Sequence, residues 1–128
     1  MFNLFKKRSK YPAFRLLNLF YKKRFYFLRN AEWAEVDAEH IIVTDPQSFN
    51  VITINNWDRL VFIQANGAQT IEAFVYSMAD YYTEKIPFDL DKVIIETVLE
   101  LEKKGLLLLT DKKQLLPPAF DAPGMKGY

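Results

Sequence analysis

Between Val51 and Leu109 the chain is punctuated so regularly that few folds remain open to it. A short alternating apolar run ends at Ile54, and Asn55 or Asn56 then offers a helix N-cap. From there Trp57, Leu60, Val61 and Ile63 recur at helical spacing as far as Ala65. Asn66-Gly67 can take the left-handed conformation that ends a helix. Thr70 caps a second helix, whose buried face is expected from Ile71, Phe74, Val75, Met78 and Tyr81 or Tyr82. Pro87 stops any continuation. Asp89 caps a third helix, and Asp91 lies in its first turn, where negative charge meets the helix dipole favourably. Ile94, Val98 and Leu101 make that helix's main stripe, with Ile95 and Leu99 one step around. Lys103 and Lys104 sit at its C-terminal end, and Gly105 closes it before Leu106 to Leu109 return as an extended apolar segment. No group in this stretch is placed to react, so it reads as a fold built to bind.

Upstream the texture is that of short strands. Trp33 to Val36, His40 to Thr44 and Phe49 to Ile54 are expected to form an antiparallel meander, with Asp37-Ala38-Glu39 and Asp45-Pro46-Gln47-Ser48 as its turns. In the third strand Asn50, Ile52 and Ile54 share one face, while Phe49, Val51 and Thr53 share the other. The expected class is α+β, a three-stranded antiparallel sheet followed by three helices, with an additional helical segment at the N-terminus.

A chain of 128 residues, half of them hydrophobic, can bury one core. It has no cysteine, which removes disulfides, thiolate nucleophiles and cysteine-based metal sites. The one histidine, His40, stands beside Ile41 and Ile42 at an expected strand start and reads as a strand or turn residue. There is no Gly-rich phosphate loop and no nucleophile–base pair, and the carboxylates follow solvent-face spacing, so neither an enzyme nor a bound cofactor is expected.

Charge is strongly segregated. Of 17 Lys and Arg residues, Lys6, Lys7, Arg8, Lys10, Arg15, Lys22, Lys23, Arg24 and Arg29 all fall within residues 1–30, which hold no acid. The other eight face all 16 acidic residues. The chain thus divides into a basic aromatic segment, 1–30, a domain, 31–110, and a Pro/Gly-rich tail, 111–128. In the basic segment Phe14, Leu17, Tyr21, Phe25 and Leu28 recur at steps of three and four from Pro12 onward, which predicts one helix. Such a helix can lie on an anionic membrane surface, contact nucleic acid phosphates, or pack on its own acidic domain or a protein partner. No signal peptide and no run of about 20 uncharged residues is present, so the protein is expected to be soluble and cytoplasmic. The tail is expected to be poorly ordered, with Phe120 and Tyr128 able to dock a partner.

The order of these signals resembles the PqqD-like family, the recognition domains that serve ribosomally made, post-translationally modified peptides. The matching elements are Ile54-Asn55 at a strand end, Asn66-Gly67 closing a helix, Thr70-Ile71 opening the next, and Ile94, Val98, Leu101 before Gly105-Leu106-Leu107. They span about residues 33 to 109. The resemblance implies a winged helix-turn-helix-like fold, in permuted arrangement. It also implies a non-catalytic function: the leader of a precursor peptide adds as a strand to the third strand, in a groove against the third helix, and is presented to a modifying enzyme of the radical SAM type. Carried onto this chain, the strand contribution falls on Phe49, Asn50, Val51, Ile52 and Thr53, and the helix contribution on Ile95, Leu99 and Glu102. Strand addition suits such a task, because an edge supplies sequence-tolerant hydrogen bonds while apolar pockets select side chains. A homodimer through an exposed edge is compatible with the same pattern.

Two rival functions remain. One is a membrane-associated or protein-binding adaptor acting through residues 1–30. The other is a DNA-binding winged helix, disfavoured because the third helix carries Asp91, Glu96, Glu100 and Glu102 against Lys92, Lys103 and Lys104, and an acidic face repels phosphates. No nucleic acid partner is therefore expected.

Overall fold

A computed structural model describes residues 10–124. Within them lie two three-stranded antiparallel sheets and a set of helices packed on a shared core. In chain order the elements are α1 (Arg15–Leu19), β1 (Tyr26–Arg29), β2 (Trp33–Glu35), β3 (His40–Thr44), β4 (Val51–Asn55), α2 (Asn56–Gln64), β5 (Asn66–Thr70), α3 (Ile71–Ala79), α4 (Leu90–Lys103), β6 (Leu107–Thr110) and α5 (Pro118–Asp121).

The expected meander is present as β2-β3-β4, with Trp33 opposite Val43 and Ile41 opposite Ile54. Ile41, Val43 and Ile54 point into the core while Val51, Thr53 and Asn55 face out, the alternation of a half-buried sheet. The third strand begins at Val51 rather than Phe49, because Phe49 sits at φ 62 in the turn and donates its N–H to the Asp45 carbonyl at 2.8 Å. The three long helices follow in the expected order, and Thr70 caps α3 by accepting the Ala73 N–H at 3.0 Å.

The second sheet was not expected. Its order is β5-β1-β6, so the segment Tyr26–Arg29 from the basic region forms the central strand between Asn66–Thr70 and Leu107–Thr110. The single N-terminal helix predicted through Leu28 is therefore replaced. Helix ends at Leu19, a turn follows, and Phe27 and Leu28 are buried in a strand. Asn66-Gly67 does not merely end α2; with Gly67 at φ 78 it opens β5.

Two buried polar side chains hold these parts together. Asp91, expected to face the dipole of its own helix, instead accepts the Leu17 N–H at 2.9 Å and so caps α1, whose own N-cap residue Phe14 offers no side-chain bond. Arg29 lies at the end of β1 with its side chain 5% exposed. Its guanidinium donates to the Phe62 and Ile63 carbonyls at the C-terminal end of α2, and to the Phe120 and Asp121 carbonyls of α5. Burial lowers the pKa of Arg29, and the Asp121 carboxylate opposes that shift.

The tail is thus docked rather than poorly ordered as far as it is described. Gln114 donates to the Gly67 carbonyl, the Trp33 indole donates to the Phe120 carbonyl at 3.1 Å, and the Gly124 N–H reaches the Trp33 carbonyl at 2.6 Å. Tyr128, expected as a docking residue, lies outside the described residues, as do Lys6, Lys7 and Arg8. No helix among the described residues is long and apolar enough to cross a membrane.

Candidate functional site

The outer edge of β4 is the centre of the candidate site. Asp45 donates its N–H to the Asn50 carbonyl at 2.8 Å, and β3 and β4 continue in that register with Thr44 opposite Val51 and Val43 opposite Ile52. Hydrogen-bonded and non-hydrogen-bonded pairs alternate in an antiparallel ladder, so Ile52 and Ile54 bond toward β3. The N–H and C=O groups of Val51 and Thr53 therefore point away from the sheet, and among the described residues no strand pairs with them.

The other sheet edges differ. Thr44 donates to the Glu32 carbonyl at 2.9 Å, which leaves the Trp33 carbonyl facing outward from β2, and the tail meets it there through Gly124. The β5 edge meets the tail at Gly67. On β6 the outward groups belong to Leu107, which is buried, and Leu109, which is half-buried. On β4 both outward-facing residues, Val51 and Thr53, have exposed side chains, whereas on β2 only Glu35 does and Trp33 is buried.

The sequence-derived residues divide accordingly. Val51 and Thr53 lie on the open edge with exposed side chains, whereas Ile52 turns inward and packs against the core. Phe49 and Asn50 belong to the β3–β4 turn. That turn is fastened by Asp45, whose carboxylate accepts the Gln47 N–H at 2.8 Å and the Ser48 N–H at 3.3 Å and is held below the ordinary carboxylate pKa, chiefly by the Gln47 bond. The Phe49 ring is 77% exposed and borders a cavity of about 220 Å³ with Ala31, Glu32, Thr44, Pro46 and Phe120. On α4, Ile95 belongs to the core, Leu99 is 39% exposed and Glu102 is half-buried.

Both β4 and α4 pack against α2. The site read from the sequence includes no residue of α2. Just beyond β4, Asn56, Trp57 and Leu60 line an open concavity of about 410 Å³. Periodicity alone places Trp57 and Leu60 in a helical stripe. Their half-burial is the signal that they bound a surface as well as a core.

His40 makes no part of this site. Its Nδ1 lies 2.8 Å from Asp37 Oδ1, and the same carboxylate accepts the backbone N–H groups of Glu39 and His40. Those bonds, Glu39 first, hold Asp37 below the usual carboxylate range and lock the β2–β3 turn. Among the described residues no group of three or more His, Cys, Asp and Glu side chains is placed to hold a metal ion. The site's chemistry is that of backbone hydrogen bonding beside apolar surface.

Compared with known proteins, the chain matches no family model, no curated protein and no solved structure.

Proposed function

We propose that this protein binds an extended peptide by strand addition to β4, and that the peptide is the leader of a ribosomally made precursor presented to a separate modifying enzyme. The open edge at Val51 and Thr53 is the observation that carries this reading. Two N–H and two C=O groups left free in register are what a fourth strand requires, and long unpaired edges are otherwise a liability that proteins tend to cover. The concavity at Asn56, Trp57 and Leu60 lies where a strand running along β4 would pass beyond Asn55, and it can receive an apolar side chain. The meander followed by α2, α3 and α4 agrees with a permuted winged helix-turn-helix of the PqqD-like kind, and the radical SAM enzyme implied by that resemblance is the partner we favour.

The test is calorimetric or anisotropy titration of the full chain with leader-like peptides encoded beside it, a DNA duplex serving as control. Binding at micromolar Kd or tighter is expected for a peptide and not for the duplex. Val51→Pro removes one outward-facing donor, which an edge position tolerates, and is expected to abolish peptide binding while the fold persists. Unchanged affinity in that variant would remove β4 as the site.

A further inference from the structure

Residues 10–30 spend part of their apolar surface on the core and leave the rest in solvent. Phe14, Leu17, Phe27 and Leu28 are buried, whereas Leu16 is 39%, Leu19 84% and Tyr21 82% exposed. Leu16 and Leu19 are one turn apart on α1 and so share a face. Phe88, 81% exposed, borders the same open cleft as Leu16, together with Arg15, Lys92, Asp89 and the buried Asp91. Leu16 and Phe88 thus border one cleft, Leu19 continues the Leu16 face of α1, and the exposed Tyr21 follows two residues later in the chain.

Apart from Asp89 and the buried Asp91 next to Phe88, the charges beside these side chains are basic. Lys10 pairs with Asp80 at 3.1 Å and Arg24 with Glu72 at 3.7 Å, but Arg15, Lys22 and Lys23 have no ion pair among the described residues. Lys22 Nζ instead lies over the rings of Tyr21 and Phe25, 5.6 and 5.5 Å from their centroids. Residues 1–9, preceding this surface in sequence, repeat the composition with Phe2, Leu4, Phe5, Lys6, Lys7 and Arg8 and contain no acid.

We infer that the surface formed by Leu16, Leu19, Tyr21 and Phe88, flanked by Arg15, Lys22 and Lys23, seats the protein on an anionic phospholipid membrane. Charge complementarity selects the partner, because unpaired cations beside the apolar residues attract acidic headgroups. The shape favours lipid over a protein groove. Single side chains more than four-fifths exposed insert among headgroups and acyl chains without needing a matched cavity, and the amphipathic Tyr21 ring suits the interface. None of the flanking residues lies in β4, α2 or α4, so tethering and peptide capture occupy different parts of the chain.

Co-sedimentation of the full chain with phosphatidylcholine–phosphatidylserine vesicles, and with pure phosphatidylcholine vesicles, tests the inference. The expected result is pelleting with the anionic vesicles only, released by added salt. Leu19→Asp combined with Tyr21→Asp, and separately Arg15→Glu with Lys22→Glu and Lys23→Glu, should each weaken vesicle binding by about tenfold or more. Arg15, Leu19 and Tyr21 are exposed and Lys22 and Lys23 half-buried, so unchanged thermal melts will show that the variants fold, and their peptide affinity should match the parent chain. No pelleting with the anionic vesicles would overturn the inference. Pelleting that both variants retain would overturn it too, since the bound surface would then lie elsewhere.

Discussion

Arg29 Nε donates to the backbone carbonyl of Phe120 at 2.8 Å, joining the central strand of one sheet to a segment 91 residues further along the chain. The same guanidinium also serves the end of α2, and its Cζ lies 5.4 Å from the centre of the Trp33 ring. One side chain thus fastens β1, β2, α2 and α5. Arg29→Ala takes the donor from the Ile63 and Asp121 carbonyls and removes a second donor from Phe62 and Phe120, and should cost about 3–5 kcal/mol in urea denaturation. Arg29→Lys should recover only part of that loss, because an ammonium cannot reproduce the planar fork. The exposed Arg24→Ala, with its loose ion pair, should change stability by less than about 0.5 kcal/mol.

Gly67 and Gly105 share a left-handed backbone, at φ 78 and φ 80, but not their surroundings. A Cβ at Gly67 would stand 2.4 Å from the Gln114 carbonyl oxygen, whereas one at Gly105 meets nothing within 4 Å. Gly105→Ala should therefore cost only the conformational strain of about 1 kcal/mol. Gly67→Ala should cost more, roughly 2–4 kcal/mol, and displace the tail from β5. Trp33 fluorescence reports that displacement, since its indole N–H bonds to Phe120 in the same tail.

The cap on α1 comes from another helix. Asp91→Ala strands the buried Leu17 N–H and should lose about 1–3 kcal/mol, with faster amide exchange at Leu17. Asp91→Asn keeps a carbonyl acceptor in the same place and should lose clearly less. Equal losses in the two variants would show that something other than this bond sets the role of Asp91.

Asp80 accepts hydrogen bonds from the Tyr11 hydroxyl at 2.7 Å and meets Lys10 at 3.1 Å, and these partners, Tyr11 first, hold its pKa below the ordinary value. A depressed carboxylate stabilises the fold above its unfolded pKa, and that stability is lost as pH falls through the folded value. The Tm difference between the parent chain and Asp80→Asn should thus be present at pH 7 and close as pH drops below about 4. Because Asp80 is exposed, the difference will be small and will shrink further in high salt.

Local signals carried the sequence reading where contacts were local. His40–Thr44, α2 and the Thr70 cap lie where turn chemistry and periodicity put them. The second sheet escaped because its strands look like other things. Phe25 and Leu28 completed a helical stripe begun at Phe14, although the unbroken run Phe25-Tyr26-Phe27-Leu28 also suits a buried strand. Asn66 to Thr70 has little strand propensity and is extended because β1 lies beside it. From the sequence Arg29 is one of the basic residues of the N-terminal segment and Asp91 a dipole partner, since nothing local reveals a bond to Phe120 or Leu17. At the candidate site the outward groups of Val51 and Thr53 follow from strand alternation, but Phe49 belongs to a turn that begins at Asp45. The core place of Ile95 depends on how α4 packs against α2, which periodicity alone does not fix.

The central position of β1 also bears on synthesis of the chain. Tyr26 pairs with Thr70 on one side and Thr110 on the other, so this ladder cannot close until the ribosome has released Thr110. The β2-β3-β4 meander pairs neighbours only and can form much earlier. During translation the basic aromatic strand can therefore pair with β5 but keeps its β6 side open until the chain reaches Thr110, an interval in which a chaperone can hold it.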